Sequence, residues 1–110
     1  MAGRLSRGDV VLVKFPPPDK ERPVLVLTRE SMLSTLARVT VAPITSTVRG
    51  ALSEVVLTAD DGMKQTCAVN LHNVTTVPRR ILGRRVASLG PLRMEQVCVA
   101  LAFALGCEGP

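Results

Sequence analysis

Apolar residues fall in short runs broken by proline, glycine and charge, and only the last run has a helical period. The first, Asp9 to Phe15, follows a Ser6-Arg7-Gly8-Asp9 turn signal and has the length of a strand. It stops at Pro16-Pro17-Pro18, which lack the N–H a ladder needs and so predict a loop or an edge. The second run, Pro23 to Leu27, leaves directly from Arg22. A third, Arg38 to Ala42, empties into Pro43-Ile44-Thr45-Ser46-Thr47. Between them, Thr28 to Leu36 predicts a short helical turn over one end of the sheet. If these runs pair, Arg22 and Thr45 occupy strand-end corners that face one pocket.

Further on, Thr45 to Gly50 reads as a polar, basic surface loop. Ala51 to Leu57 predicts a fourth strand, with Glu54 exposed. Asp60-Asp61-Gly62 is a hairpin turn signal. A fifth strand is expected from Gln65 to Leu71, running on through His72-Asn73-Val74. Pro78 to Gly83 suits a single helical turn, with proline opening it and glycine closing it. Arg84 to Ala87 supplies a last short strand. Gly90-Pro91 then opens a long helix that ends before Gly106. Met94, Val97, Cys98, Leu101 and Leu105 recur on one face of it, with Val99 and Phe103 opposite, near Gln96. A helix apolar on two sides needs cover on both, so a second copy of the chain is the expected partner. The pattern predicts one mostly β domain over residues 1–110, with its core about 6–106: a small, strongly curved barrel with a C-terminal helix packed on it.

The 46% apolar and 21% charged composition is globular, and 110 residues bury a core without staples. No apolar run approaches the roughly 18 residues of a membrane span. The charged N-terminus resembles no signal peptide, so a cytoplasmic protein is expected. Cys67, Cys98 and Cys107 are too scattered for a disulfide framework or a zinc site; they read as small apolar fillers in a reducing compartment. With one histidine, neither a metal nor a cofactor is expected.

The net charge is +5, and eleven of the fourteen basic residues are arginine, whose planar fork suits phosphate. Tryptophan and tyrosine are absent and phenylalanine occurs only at 15 and 103, so the aromatic platforms of most single-strand binders are missing. A nucleic-acid partner would have to be held by charge, hydroxyls and shape, with steep salt dependence. Arg79, Arg80, Arg84 and Arg85 form the densest basic cluster, equally compatible with a nucleic-acid patch and with a solvated face.

Four stretches in order, Arg7-Gly8-Asp9-Val10-Val11-Leu12-Val13, Arg22-Pro23-Val24-Leu25-Val26-Leu27, Val41-Ala42-Pro43-Ile44-Thr45-Ser46 and Leu82-Gly83-Arg84-Arg85-Val86, resemble the MazF/PemK family of endoribonuclease toxins. The resemblance covers Ser6 to Gly106. It implies an SH3-like barrel, usually homodimeric, that cuts single-stranded RNA without a metal. The ribose 2′-OH would attack the adjacent phosphate, leaving 2′,3′-cyclic phosphate and 5′-OH ends. The implied partner is a MazE-like antitoxin with an acidic tail.

On that resemblance, Arg22 matches the family's arginine and would stabilise charge on the phosphate rather than give up a proton. Thr45 matches its threonine and would orient the ribose or phosphate. The base is open between three residues. His72 falls on the aspartate position of the Kid type, and an imidazole suits proton shuttling. Asp19 and Glu21 are imperfect substitutes for a loop acid, and Asn70 stands where the Kid type has an arginine. Lys20, Arg49 and Lys64 are candidates to neutralise phosphates; Ser46, Thr47, Asn70 and Asn73 are candidates to contact bases or backbone. Two other readings remain open at this point. One is a gyrase-poisoning toxin of the CcdB type, although the C-terminal tryptophan of that family is missing. The other is a basic SH3-like module that binds RNA without cutting.

Overall fold

A computed structural model describes residues 4–14, 16–18 and 20–108. The expected Phe15 end of the first strand and the acid Asp19 lie outside the described residues.

Seven antiparallel strands, β1 (Asp9–Lys14), β2 (Glu21–Val26), β3 (Arg38–Thr45), β4 (Glu54–Leu57), β5 (Cys67–Asn70), β6 (Thr75–Pro78) and β7 (Leu82–Ser88), form one bent sheet. Their order is β4-β5-β3-β2-β1-β7, with β6 also on β3. The four-residue helix α1 (Glu30–Leu33) follows β2, and α2 (Pro91–Leu105) ends the chain. The mostly β architecture with a C-terminal helix is as expected. The sheet is not closed, however: β4 and β7 end its strand order unpaired with each other, so "barrel" describes its curl only.

Strand alternation sorts the core onto two faces. Val10, Leu25, Ala42 and Ile44 turn to one face, where Met94, Val97 and Ala100 of α2 cover them. Val11, Val13, Val24, Val26, Val39 and Val41 turn to the other, under Leu5, Leu33 and Leu82. The buried arc of α2 is centred on Val97, with Leu101 and Ala104 at its flanks. Cys98 and Leu105, expected on that face, lie exposed because the arc leans toward the small residues Ala100 and Ala104, which let the helix approach the sheet. Only Cys67 of the three cysteines is a core filler; Cys98 and Cys107 are exposed. No described helix is long and apolar enough to cross a membrane.

Two expected strands are shorter or broken. β4 starts at Glu54 rather than Ala51, and β5 stops at Asn70. Asn70 Oδ1 accepts the His72 N–H at 3.0 Å, bending Leu71–Asn73 into a 3₁₀ turn. The chain re-enters the sheet as β6, against β3. The turn after β4 is a 3₁₀ turn over Ala59–Asp61 rather than a two-residue hairpin. Thr58 and Asp61 cap it reciprocally, and Gly62 closes it at φ +90°.

β1 and β7 pair with register shifts between Val10 and Val13. At this irregularity a Cβ on Gly83 would meet the Leu12 carbonyl oxygen at 2.9 Å, so the two backbones approach only because residue 83 has no side chain. Gly83→Ala should destabilise the protein by about 1–3 kcal/mol, a melting temperature lower by roughly 5–15 °C. An unchanged melting temperature would show that the contact is not tight.

Asp61 also accepts Arg93 Nε at 2.9 Å and Nη2 at 3.0 Å, which clamps the loop to α2. These bonds hold its carboxyl below the ordinary 3.8, helped by the Thr58 N–H and opposed by burial. A depressed folded-state pKa contributes stability above the unfolded value that is lost as pH falls through the folded one. Asp61→Asn should therefore cost about 1 kcal/mol at neutral pH and clearly less near pH 3, read from denaturant midpoints. An equal loss at both pH values would exclude the clamp.

Candidate active site

The site arises where β2 and β3 part. Their register runs Val26 opposite Val41, Leu25 opposite Ala42 and Val24 opposite Pro43, and there it stops. The next facing pairs in that register would be Pro23 with Ile44 and Arg22 with Thr45. Pro23 supplies no N–H, so β2 lacks a donor where pairing would continue. Beyond this point β2 stays with β1, through Pro23 opposite Leu12 and Arg22 opposite Val13. β3 instead pairs with β5, through Ile44 opposite Val69 and Thr45 opposite Ala68. A gap opens between the diverging strands.

Two cavities, of about 540 and 330 Å³, flank the gap. Strand alternation separates them: Leu12, Pro23 and Ser46 front the larger, while Val24, Pro43 and Thr47 front the smaller. Arg22, Ile44 and Thr45 border both. The two candidate residues from separate stretches of the chain thus meet at the seam of one groove. Arg22 is exposed and Thr45 half-buried. Thr45 Oγ1 accepts the Thr47 N–H at 3.1 Å, which shapes the loop and leaves the hydroxyl proton free to donate.

Most of the remaining candidates gather there too. Ser46 and Lys64 border the larger cavity; Thr47, Arg49, Asn70 and Asn73 border the smaller. Lys20 borders neither. Nor does His72, which is exposed on the 3₁₀ turn that Asn70 bends out of the β5 line. His72 is a candidate through its match to the Kid-type aspartate position, and it lies on the turn that ends β5. Glu21 does border the larger cavity.

Of the basic cluster that the sequence leaves open between a nucleic-acid patch and a solvated face, Arg84 and Arg85 border the larger cavity. The four-arginine cluster divides in space. Arg79 spends its guanidinium on the Leu36 carbonyl, at 3.2 Å from Nε and 2.9 Å from Nη2, whereas β7 carries Arg84 and Arg85 to the groove. The signal for the split is the position of Gly83, which fixes how β7 lies on β1. Asp9, wholly buried, accepts Ser6 N–H at 2.9 Å and Ser88 Oγ at 3.0 Å, and lies 3.8 Å from Arg85 Nη1.

The groove is therefore cationic. Arg22, Arg49, Lys64, Arg84 and Arg85 border it, against the carboxylates Glu21 and Glu54. Its larger cavity has an apolar floor that includes Leu12, Met63 and Cys67. Burial pushes the Cys67 thiol up, and the Asp61 charge adds to this, so the thiol is neutral and unreactive. Among the described residues, no three His, Cys, Asp or Glu side chains gather as metal ligands. Such an arrangement fits a polyanion whose backbone lies along the seam.

Residues 6–105 match the model of the PemK-like, MazF-like toxins of type II toxin–antitoxin systems. A probable endoribonuclease MazF2 of Mycobacterium tuberculosis is 40% identical over 104 residues, covering 94% of this chain and all of that protein. Endoribonuclease MazF3 of the same species is 49% identical over 88 residues, which is 80% of this chain and 82% of the relative. The solved M. tuberculosis toxin MazF-mt6 superposes with a TM-score of 0.83 at 37% identity, covering 92% of this chain and 99% of that one. A mycobacterial endoribonuclease solved with its cognate antitoxin gives 0.86 at 26% identity, covering 97% and 100%. The chain belongs to the PemK/MazF-like toxin family of type II toxin–antitoxin systems.

Proposed function

We propose that this protein is a cytoplasmic endoribonuclease toxin that cuts single-stranded RNA at specific sequences, without a metal, and is silenced by its own antitoxin. The observation that carries the mechanism is that Arg22 and Thr45 border both cavities across the parted strands. A scissile phosphate at the seam would have one nucleotide on either side.

In this reaction the 2′-oxygen forms a bond to phosphorus as the bond to the 5′-oxygen breaks. The 2′-OH proton leaves to a base, and the 5′-oxygen takes a proton. Negative charge grows on the phosphoryl oxygens, and Arg22 meets it from a strand, already positioned. Thr45 donates its free hydroxyl proton to the ribose or phosphate. Glu21, in the larger cavity with both, is the carboxylate placed to accept the 2′-OH proton. It borders the groove with Arg22 and Thr45, and His72 does not, which favours it as the base.

The same cations would bind an acidic antitoxin segment, which would then block RNA by occupying its charges. Self-association has support in α2, where Leu92, Val99 and Phe103 form an exposed apolar stripe opposite the buried arc. Val99→Glu should shift the protein from dimer to monomer in sedimentation at micromolar concentration, and a wild type already monomeric would remove the homodimer from the reading.

Cleavage of a single-stranded RNA in EDTA tests the chemistry. Arg22→Ala should lose on the order of 10²–10³-fold in rate. Glu21→Gln should lose about 10²-fold, Thr45→Val at least about tenfold, and His72→Ala should cut nearly as fast as wild type. The products should carry a cyclic phosphate. RNA bound but left whole, or full activity in Arg22→Ala, would overturn the proposal.

A further inference from the structure

The reaction above leaves one carboxylate of the groove unused. Glu54 opens β4, is half-buried, and borders the smaller cavity together with Arg22 and Thr45. Its Oε1 accepts the N–H of Arg49 and of Gly50, each at 3.0 Å. Its Oε2 accepts no hydrogen bond among the described residues. The carboxylate is thus held in one orientation by backbone donors, and its second oxygen is left without a partner among the described residues.

Its neighbours are mostly donors. Arg49 presents a guanidinium, and Asn70 offers its NH₂ beside an Oδ1 that already takes the His72 N–H at 3.0 Å. Among the described residues bordering this cavity, Glu54 is the only carboxylate. An ionised carboxylate can accept and cannot donate. A base seated here must therefore bring a proton to Oε2.

We infer that Glu54 is a specificity-determining residue: it reads the nucleobase next to the scissile linkage by accepting a hydrogen bond from its exocyclic amine. Adenine, cytosine and guanine carry that amine. Uracil does not: its one edge N–H lies between two carbonyl oxygens, and a fixed carboxylate repels both. Seating uracil would leave Oε2 desolvated without a partner. This assignment rests on the RNA-cleaving reading above.

Glu54→Gln isolates the effect. The amide oxygen keeps the bonds from Arg49 and Gly50, because turning the NH₂ toward two donors is disfavoured. The free position then changes from acceptor to donor, with the shape preserved. Cleavage ends would be mapped on a randomised single-stranded RNA for both proteins. Wild type should show an amine-bearing base at one position flanking the cut, and Glu54→Gln should raise the use of uracil there by about tenfold. Binding of uncleavable 2′-deoxy oligonucleotides carrying cytosine or uracil at that position should change in the same ratio.

Equal base preference in the two proteins would overturn the assignment while leaving the nuclease intact. A uniform loss of rate at every site, with unchanged preference and unchanged binding ratios, would overturn it and make Glu54 the proton acceptor. A wild type that cuts no RNA removes the nuclease reading itself and this inference with it.

Discussion

The structure depends on the parting of β2 and β3 after Val24 and Pro43. A gap inside a sheet exposes ladder groups that must find partners, and unpaired backbone donors are costly where water is scarce. Proline at 23 removes one N–H that β2 would otherwise leave over on the side of the gap. β1 and β5 then take up the far edges of the separated segments. The gap can therefore be wet and functional without leaving the sheet short of hydrogen bonds. It also explains why residues 22 and 45 face each other across solvent rather than across a ladder.

Charge is the second constraint. Five cations around one groove repel one another, and that cost falls when an anion enters. The carboxylates nearby are tied into the structure. Asp9 is buried between β1 and β7 with Arg85 at 3.8 Å. Glu54 is pinned by two backbone N–H groups, and Asp61 is engaged by Arg93. Each fixes a wall of the groove: β7, the loop before β4, and the loop that carries Met63 and Lys64. None of them cancels Arg22, which stays exposed at the seam.

Much of this was legible along the chain. Apolar runs located β1, β2, β3 and α2, because a half-buried strand and a covered helix impose their period on the sequence. Arg22 and Thr45 could be placed at one pocket because each stands at the end of an apolar run, where paired strands turn a corner. Three features were hidden for identifiable reasons. The side chain of Asn70, not an apolar break, ends β5, so His72 seemed to continue the strand. Four arginines within seven residues look alike until Gly83 fixes the lie of β7 and separates Arg84 and Arg85 from Arg79. The faces of α2 depend on where its smallest residues are, so Cys98 and Leu105 share the apolar period yet face outward.

The groove also divides its labour between kinds of backbone. Arg22 and Glu21 sit on β2 and Thr45 ends β3, and paired strands hold side chains to the small tolerances that charge stabilisation requires. Ser46, Thr47 and Arg49 lie on the exposed loop that follows, and its course is set by two side-chain anchors. Thr45 holds its start and Glu54 holds its end. A loop fixed only at its ends tolerates exchange of the residues between them. The side chains of this loop can therefore change while the strands keep Arg22 and Thr45 in place. Glu54 belongs to both systems, because the carboxylate that fastens the loop also presents an oxygen to the cavity. A substitution there touches both the loop and the cavity while leaving the strands that carry Arg22 and Thr45 unchanged.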